Sequence, residues 1–158
     1  DLGRVIDRCL KPQGLGLIHS IGRHRPMPSS RWIAQRIFPG AYPPTLRQMM
    51  DLFEPWDLCV LDVENLRLHY ARTLHHWLAR FDRAEDEVER MLGRRFVRTW
   101  RLYLAGSEAA FTTGQLQLYQ IVFARAANRQ VPWTRAHLYL RDQESHAGSS
   151  SSWNAATP

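Results

Sequence analysis

The sequence LKPQGLGLIHSIG, residues 10–22, joins a predicted helix to a predicted strand. Pro12 cannot continue a helix, and Gly14 supplies the freedom that a turn needs. The run from Leu15 to Gly22 is short, apolar and bounded by turn residues, which is typical of a strand in a parallel sheet. A helix, a break and an apolar strand make half of a βα unit, so this stretch predicts an α/β fold.

Apolar residues continue this pattern on both sides of the stretch. Before the break, residues at helical spacing from Leu2 to Leu10 predict an amphipathic helix. After the strand, residues 23–44 are rich in Pro, Arg and Ser, which indicates a loop region. The remaining short elements are helices predicted at residues 32–37 and 45–53, a second strand at 56–63 and a last strand at 116–124.

Two long helical patterns lie between the second and the last predicted strand. Apolar side chains from Leu66 to Phe81 fall on one face of a helix, and those from Val88 to Leu104 form a second such face. Three acidic residues, 85–87, open the second pattern, where the helix dipole favours them. The sequence therefore predicts long helices inserted between the last two strands.

Length and composition limit the class of protein. The 158 residues, 44% of them hydrophobic, suffice for one domain or part of one, and a chain of this length buries roughly 68–70% of its unfolded surface. No apolar run approaches the roughly 20 residues that span a bilayer, so we expect a soluble, cytoplasmic protein. Cys9 and Cys59 lie in apolar stretches without metal-ligand spacing, and both are predicted to be buried thiols.

The chain is basic. Its 21 basic and 15 acidic residues give 21 − 15 = +6, and Lys11 is the only lysine. The arginines are scattered over helices and loops without an aromatic and basic RNA motif, so nucleic-acid binding is disfavoured. Four of them lie on one helix opposite its apolar stripe, where they either attract an anionic membrane or are simply solvated: Arg94, Arg95, Arg98 and Arg101.

Five longer strings carry the specific signal. In chain order they are LKPQGLGLIHSIG, IFPGAYPP, VENLRLHYARTLHHW, WRLYLAGSEAAF and LQLYQIVFAR. In this order and spacing they resemble the cyclopropane-fatty-acyl-phospholipid synthase and mycolic acid cyclopropane synthase family, with ENLRLHYARTL especially specific to it. The resemblance covers about residues 1–140.

The resemblance implies the carboxyl-terminal part of a Rossmann-like class I S-adenosylmethionine-dependent methyltransferase domain, residues 1–140, with helices inserted between its last two strands. The family's glycine-rich cofactor loop and ribose-binding acidic residue do not occur in this sequence. We therefore expect the cofactor-binding residues upstream of Asp1 and expect the isolated chain to be inactive. Residues 141–158, which end in GSSSSWNAATP, are predicted to be a disordered tail.

The implied reaction makes physical demands on its site. The family transfers the methyl group of S-adenosylmethionine to a cis double bond of a lipid acyl chain, and the resulting carbocation loses a proton as the ring closes. Water quenches such a cation, so the site must be dry and apolar, with one base at the methyl group. The resemblance implies bicarbonate as that base, held by His19, the main chain of Ile21 and Tyr70, with a glutamate upstream of Asp1.

The residues alone leave the roles of His19 and Tyr70 open. His19 is expected at the carboxyl end of a parallel-type strand, where open α/β sheets place ligand groups, although a histidine there can also simply cap a buried strand end. Tyr70 lies in an apolar helix stripe, whose periodicity does not separate a core residue from a site residue.

The resemblance also implies four contacts to the acyl chain: Phe38, Leu74, Ser107 and Phe111. Each of them can equally be an ordinary core residue, but Phe38 is a large apolar side chain in a loop rich in Pro and Gly, which favours a functional role. Aromatic rings near the double bond can stabilise the developing cation. Many family members have cysteine where this chain has Ser107, so a thiol nucleophile at this position is excluded here.

The leading hypothesis is cyclopropanation of unsaturated phospholipid acyl chains by an enzyme at the inner face of the cell membrane. Two alternatives stay open: a relative that yields methyl-branched products, and a lipid-binding module without catalysis. S-adenosylmethionine and bicarbonate are the implied cofactors, and homo-oligomerisation is left open.

Overall fold

The computed structural model describes residues 2–139. Its helices are α1 (Leu2–Cys9), α2 (Arg31–Arg36), α3 (Leu46–Met50), α4 (Arg67–Arg83), α5 (Glu85–Leu92) and α6 (Arg94–Thr112), with a 3-10 turn at Glu54–Trp56. Its strands are β1 (Leu15–Gly22), β2 (Leu58–Asn65) and β3 (Gln117–Arg125). Every element predicted from the sequence is present within a few residues. The predicted tail, residues 141–158, lies outside the described residues.

One long helical pattern is wrong as a single helix, because it breaks at Gly93 into α5 and α6. Gly93 has φ +81°, in the region that favours glycine, and its backbone N–H donates to the carbonyl of Glu89 at 2.8 Å. The two helices share one apolar period across this break. The apolar pattern alone therefore did not predict the turn between α5 and α6.

The sheet has the order β1-β3-β2, and β3 is antiparallel to both of its neighbours. The predicted parallel pairing of β1 is therefore wrong for the part of the sheet that the structure describes. β1 and β2 do run in the same direction, but β3 lies between them. A continuous apolar run indicates burial on both faces of a strand and carries no information about strand direction, which is why the sequence did not show this.

One face of the sheet packs against α1, α3 and the 3-10 turn. Phe53 and Phe123 meet there, with ring centroids 4.9 Å apart. Gly16 allows β1 to pass Phe123 closely, since an added Cβ would lie 2.2 Å from the ring. The buried residues of this first cluster are Met49, Phe53, Leu58, Tyr119, Ile121 and Phe123.

The other face carries α4 and α6, which pack along each other over one end of the sheet. Arg67 Nη1 donates to the carbonyls of Phe111 and Thr112, at 3.1 and 3.0 Å, and so caps the end of α6. Near the other end of α6, Arg101 binds Asp82 and Glu85 and joins three helices. The buried residues of this second cluster are Ala71, Leu74, Leu104, Phe111 and Leu118.

Both cysteines are exposed, so their predicted burial is wrong. Of the predicted stripe, Ile6 on α1 and Leu10 just after it pack against the first cluster, whereas Leu2, Val5 and Cys9 are exposed. Cys59 follows the buried Leu58 in a strand, so its side chain points to the opposite face of the sheet. Apolar neighbours in sequence did not mean burial in either case.

Within residues 2–139 the longest apolar helical stretch falls short of what a membrane-spanning helix needs.

Candidate active site

His19 lies on the outer face of β1, fifth in the eight-residue strand and three residues before its end, so the expectation of a strand-end histidine is corrected. Its Nδ1 is 3.2 Å from Nε2 of Gln120, the residue that faces it on β3. Which of the two groups donates depends on the tautomer of the imidazole and on the orientation of the Gln120 amide. The His19 side chain is exposed on this face of the sheet.

Ile21 lies two residues further along β1, on the same face as His19. It is half-buried and packs against the second cluster. The Ser20 hydroxyl donates to the Ile21 carbonyl at 3.2 Å. The β1 face therefore changes from polar at His19 to apolar at Ile21.

Tyr70 lies on the inner face of α4 and is half-buried. Its ring meets Phe111 edge to face, with centroids 4.8 Å apart, and Trp77 at 6.0 Å. Burial raises the pKa of Tyr70 above its ordinary value of 10.0, and the nearby Tyr103 raises it further. The hydroxyl is therefore protonated at neutral pH and is available as a hydrogen-bond donor.

The four predicted acyl contacts have different surroundings. Leu74 and Phe111 are fully buried in the second cluster. Ser107 is half-buried, one helical turn before Phe111. Phe38 is 47% exposed and stands edge to face on Tyr103, with centroids 5.7 Å apart.

The structure brings part of the predicted site together. Ile21, Tyr70, Leu74 and Phe111 share the second cluster, and Phe38 joins it through Tyr103, which also packs there. His19 contacts Gln120, whereas the Tyr70 ring contacts Trp77 and Phe111. The apolar part of the site is thus assembled, and the polar part is spread along the face of the sheet.

Gln120 was missed by the sequence reasoning. It lies on β3, the central strand, and pairs with His19 on β1 and with Glu64 on β2. The available signal was a polar side chain inside the apolar strand LQLYQIVF. Its pairing with His19 spans 101 residues of sequence and depends on the register of two strands.

A cavity of about 650 Å³ opens beside Gln120 and was also not predicted. Apolar and polar residues of β1, β2 and β3 line it on one side, and residues 132–139 line it on the other. Arg135 holds this segment through two hydrogen bonds to Asp62, at 2.5 and 2.9 Å. The four predicted acyl contacts are not among the residues that line this cavity.

Comparison with known proteins decides the family. A family model described as mycolic acid cyclopropane synthetase matches residues 3–121. The chain belongs to this family. The match includes every residue predicted for the site, from His19 to Phe111.

Two curated relatives agree with this assignment. The chain is 36% identical over 122 residues to the cyclopropane-fatty-acyl-phospholipid synthase of Escherichia coli, covering 77% of this chain and 32% of the relative. It is 34% identical over 129 residues to a probable fatty acid methyltransferase of Pseudomonas putida, covering 80% and 33%. The chain thus spans about a third of the length of these relatives.

A solved structure shows the same fold. The mycolic acid cyclopropane synthase CmaA1, complexed with SAH and CTAB, superposes with a TM-score of 0.69 at 24% identity, over 77% of this chain and 49% of that one. The fold is that of the class I S-adenosylmethionine-dependent methyltransferases, as expected from the sequence, and its described sheet is open and antiparallel.

Proposed function

We propose that the protein carrying this chain transfers the methyl group of S-adenosylmethionine to the cis double bond of unsaturated phospholipid acyl chains and forms cyclopropane fatty acids. The observation that carries the proposal is Tyr70, a protonated phenol held among aromatic rings inside the second cluster. The names of the two curated relatives, a phospholipid synthase and a fatty acid methyltransferase, support a lipid substrate.

The rings around Tyr70 suit a cationic intermediate. Phe111 and Trp77 contact the tyrosine ring, and Leu74 closes the cluster beside it. Aromatic faces attract a cation, and an apolar wall keeps out the water that would quench it. S-adenosylmethionine is proposed to supply the electrophilic methyl group.

Tyr70 offers a hydrogen-bond donor, and an imidazole such as that of His19 can offer a second one, which fits an anion. We propose that they hold bicarbonate together with the main chain of Ile21, as the resemblance implies, and that the ion is the base for the proton lost as the ring closes. Tyr70 is suited to this role because its raised pKa keeps the hydroxyl protonated beside an anion. His19 is proposed to donate through Nε2, the ring nitrogen that does not contact Gln120.

Ser107, Phe111, Leu74 and Phe38 are proposed to contact the acyl chain. Phe38 is the most accessible of them and lies on Tyr103, outside the buried part of the cluster. The acyl chain is proposed to enter from this side. The enzyme is proposed to work in the cytoplasm, at the inner face of the cell membrane.

The test is mass spectrometry of lipids from cells that express the full-length gene product carrying this sequence. A gain of one CH₂ group with ring-specific fragmentation supports the proposal. A methyl branch without a ring assigns the protein to relatives with methyl-branched products. If the protein binds vesicles but leaves the lipids unchanged in cells where S-adenosylmethionine is plentiful, it is a lipid-binding module without catalysis.

A further inference from the structure

The turn from α5 into α6 forms an exposed corner that the site does not use. Every residue from 90 to 96 is exposed, and the next residue, Val97, is buried. Met91 and Leu92 are 71% and 56% exposed, although both are large and apolar. We name this surface the arginine corner; it consists of Arg90, Met91, Leu92, Gly93, Arg94, Arg95, Phe96 and Arg98.

The charge of the arginine corner is uniformly positive. From residue 90 to residue 107 the sequence contains no acidic residue. Arg101, further along α6, lines the groove described next, but its charge is paired with Asp82 and Glu85. Arg94, Arg95 and Arg98 line an open groove of about 770 Å³ that Trp32 of α2 closes on one side.

Aromatic contacts lead from the corner to the proposed site. Phe96 stacks on Trp100 with an interplanar angle of 11° and centroids 5.9 Å apart, and Trp100 meets Tyr103 at 5.0 Å. Tyr103 in turn contacts Phe38 and lies near enough to raise the pKa of Tyr70. The corner is thus continuous with the side from which the acyl chain is proposed to enter.

We propose that the arginine corner docks the protein on an anionic phospholipid bilayer, with Met91 and Leu92 inserted between headgroups and the arginines on lipid phosphates. The proposal rests on the proposed function, which gives the protein a reason to approach a bilayer. Exposed apolar side chains ringed by arginines match an interface whose outer layer is anionic and whose inner layer is apolar. A nucleic acid would satisfy the arginines but would leave Met91 and Leu92 in water.

The experiment is flotation of the full-length gene product with vesicles of phosphatidylglycerol or phosphatidylcholine. One variant replaces Arg94, Arg95 and Arg98 by serine. An arginine near an anionic surface contributes roughly fivefold in affinity, so this triple variant is expected to bind phosphatidylglycerol roughly 100-fold more weakly. The double variant Met91→Ser with Leu92→Ser is expected to lose binding to both kinds of vesicle.

Matched controls separate the corner from general charge and from misfolding. Serine at Arg4, Arg8 and Arg129, all exposed and away from the corner, removes the same charge and is expected to leave vesicle binding within twofold of wild type. Lysine at Arg94, Arg95 and Arg98 keeps the charge and is expected to retain binding. Circular dichroism checks that each variant has the wild-type helix content.

The outcomes are distinct from those of the proposed function. Methyl transfer to detergent-dispersed lipid needs no bilayer, so the triple and double variants are expected to turn over this substrate at the wild-type rate. A protein that binds vesicles through the corner but transfers no methyl group supports the docking surface and overturns the proposed function. Three outcomes overturn the docking surface. The wild-type protein does not bind vesicles, the variants bind vesicles as the wild type does, or the protein binds an oligonucleotide and no vesicles.

Discussion

Removing the hydroxyl of Tyr70 tests the site most directly. Tyr70→Phe keeps the ring, and therefore the contacts to Phe111 and Trp77, so the free energy of unfolding is expected to change by less than about 1 kcal/mol. What disappears is the hydroxyl that is proposed to donate to bicarbonate. A hydrogen bond to a charged group contributes about 1.5–3 kcal/mol, which corresponds to a loss of roughly 10- to 150-fold in kcat.

The assay measures initial rates of the full-length gene product at varied S-adenosylmethionine. We expect kcat to fall while KM for the cofactor stays unchanged, because Tyr70 is assigned to the base and not to cofactor binding. Tyr42→Phe is the matched control, since Tyr42 is an exposed tyrosine whose hydroxyl donates to Gln48 at 3.2 Å. Unchanged kcat in Tyr70→Phe, or equal effects on kcat and KM, would refute the reasoning.

The pH dependence sharpens the same prediction. The pKa of Tyr70 is raised above 10.0 by burial, so the protonated donor persists to higher pH than in an ordinary tyrosine. Its ionisation is expected to lower kcat only above pH 10, and this alkaline fall is expected to be absent in Tyr70→Phe. The raised pKa also makes folding more favourable below pH 10.0, and this contribution is lost as the pH rises through the folded-state value.

Three further predictions concern packing and the polar end of the site. Phe111→Ala is expected to cost about 3–5 kcal/mol in urea unfolding, because the ring is fully buried in the second cluster, and a loss under 1 kcal/mol would contradict that packing. Gly16→Ala forces a Cβ to 2.2 Å from Phe123 and is expected to cost about 1–3 kcal/mol, whereas Gly106→Ala meets nothing within 4 Å and is expected to gain about 0.5–1 kcal/mol; equal effects would argue against the close approach of β1. His19→Ala is expected to lose methyl transfer that added bicarbonate partly restores, and indifference to bicarbonate would remove His19 from the anion site.

Periodicity predicted α4 well, because a helix that packs on a sheet repeats its apolar side chains every three or four residues. The same signal failed at Gly93, where α5 and α6 continue one stripe across a sharp corner. A stripe records which side chains face the core and contains no information on whether the axis is straight. The positive φ of Gly93 depends on the fold, and a single glycine in the sequence is not enough to predict it.

In the site too, contacts within one helix could be predicted from the sequence, and contacts between strands could not. Tyr70 and Leu74 are four residues apart on α4, so their common face follows from helix geometry. The contact between His19 and Gln120 depends instead on how β1 and β3 are aligned, which no local pattern specifies. The relative direction of β1 and β3 could not be predicted for a similar reason, because an apolar run has the same pattern in a parallel and in an antiparallel strand.

Helix α6 links the two ends of the proposed lipid path. An α-helix rises 1.5 Å per residue, so Phe96 in the arginine corner and Phe111 beside Tyr70 are about 22 Å apart along it. Arg67 holds the carbonyls at the end of α6, and Arg101 ties its first half to α4 and α5. Because both attachments fix α6, the helix holds the proposed docking surface and the Phe111 ring at a fixed spacing. If the proposed docking and the proposed site both hold, we expect double bonds at one depth of the acyl chain to be methylated faster than those at other depths.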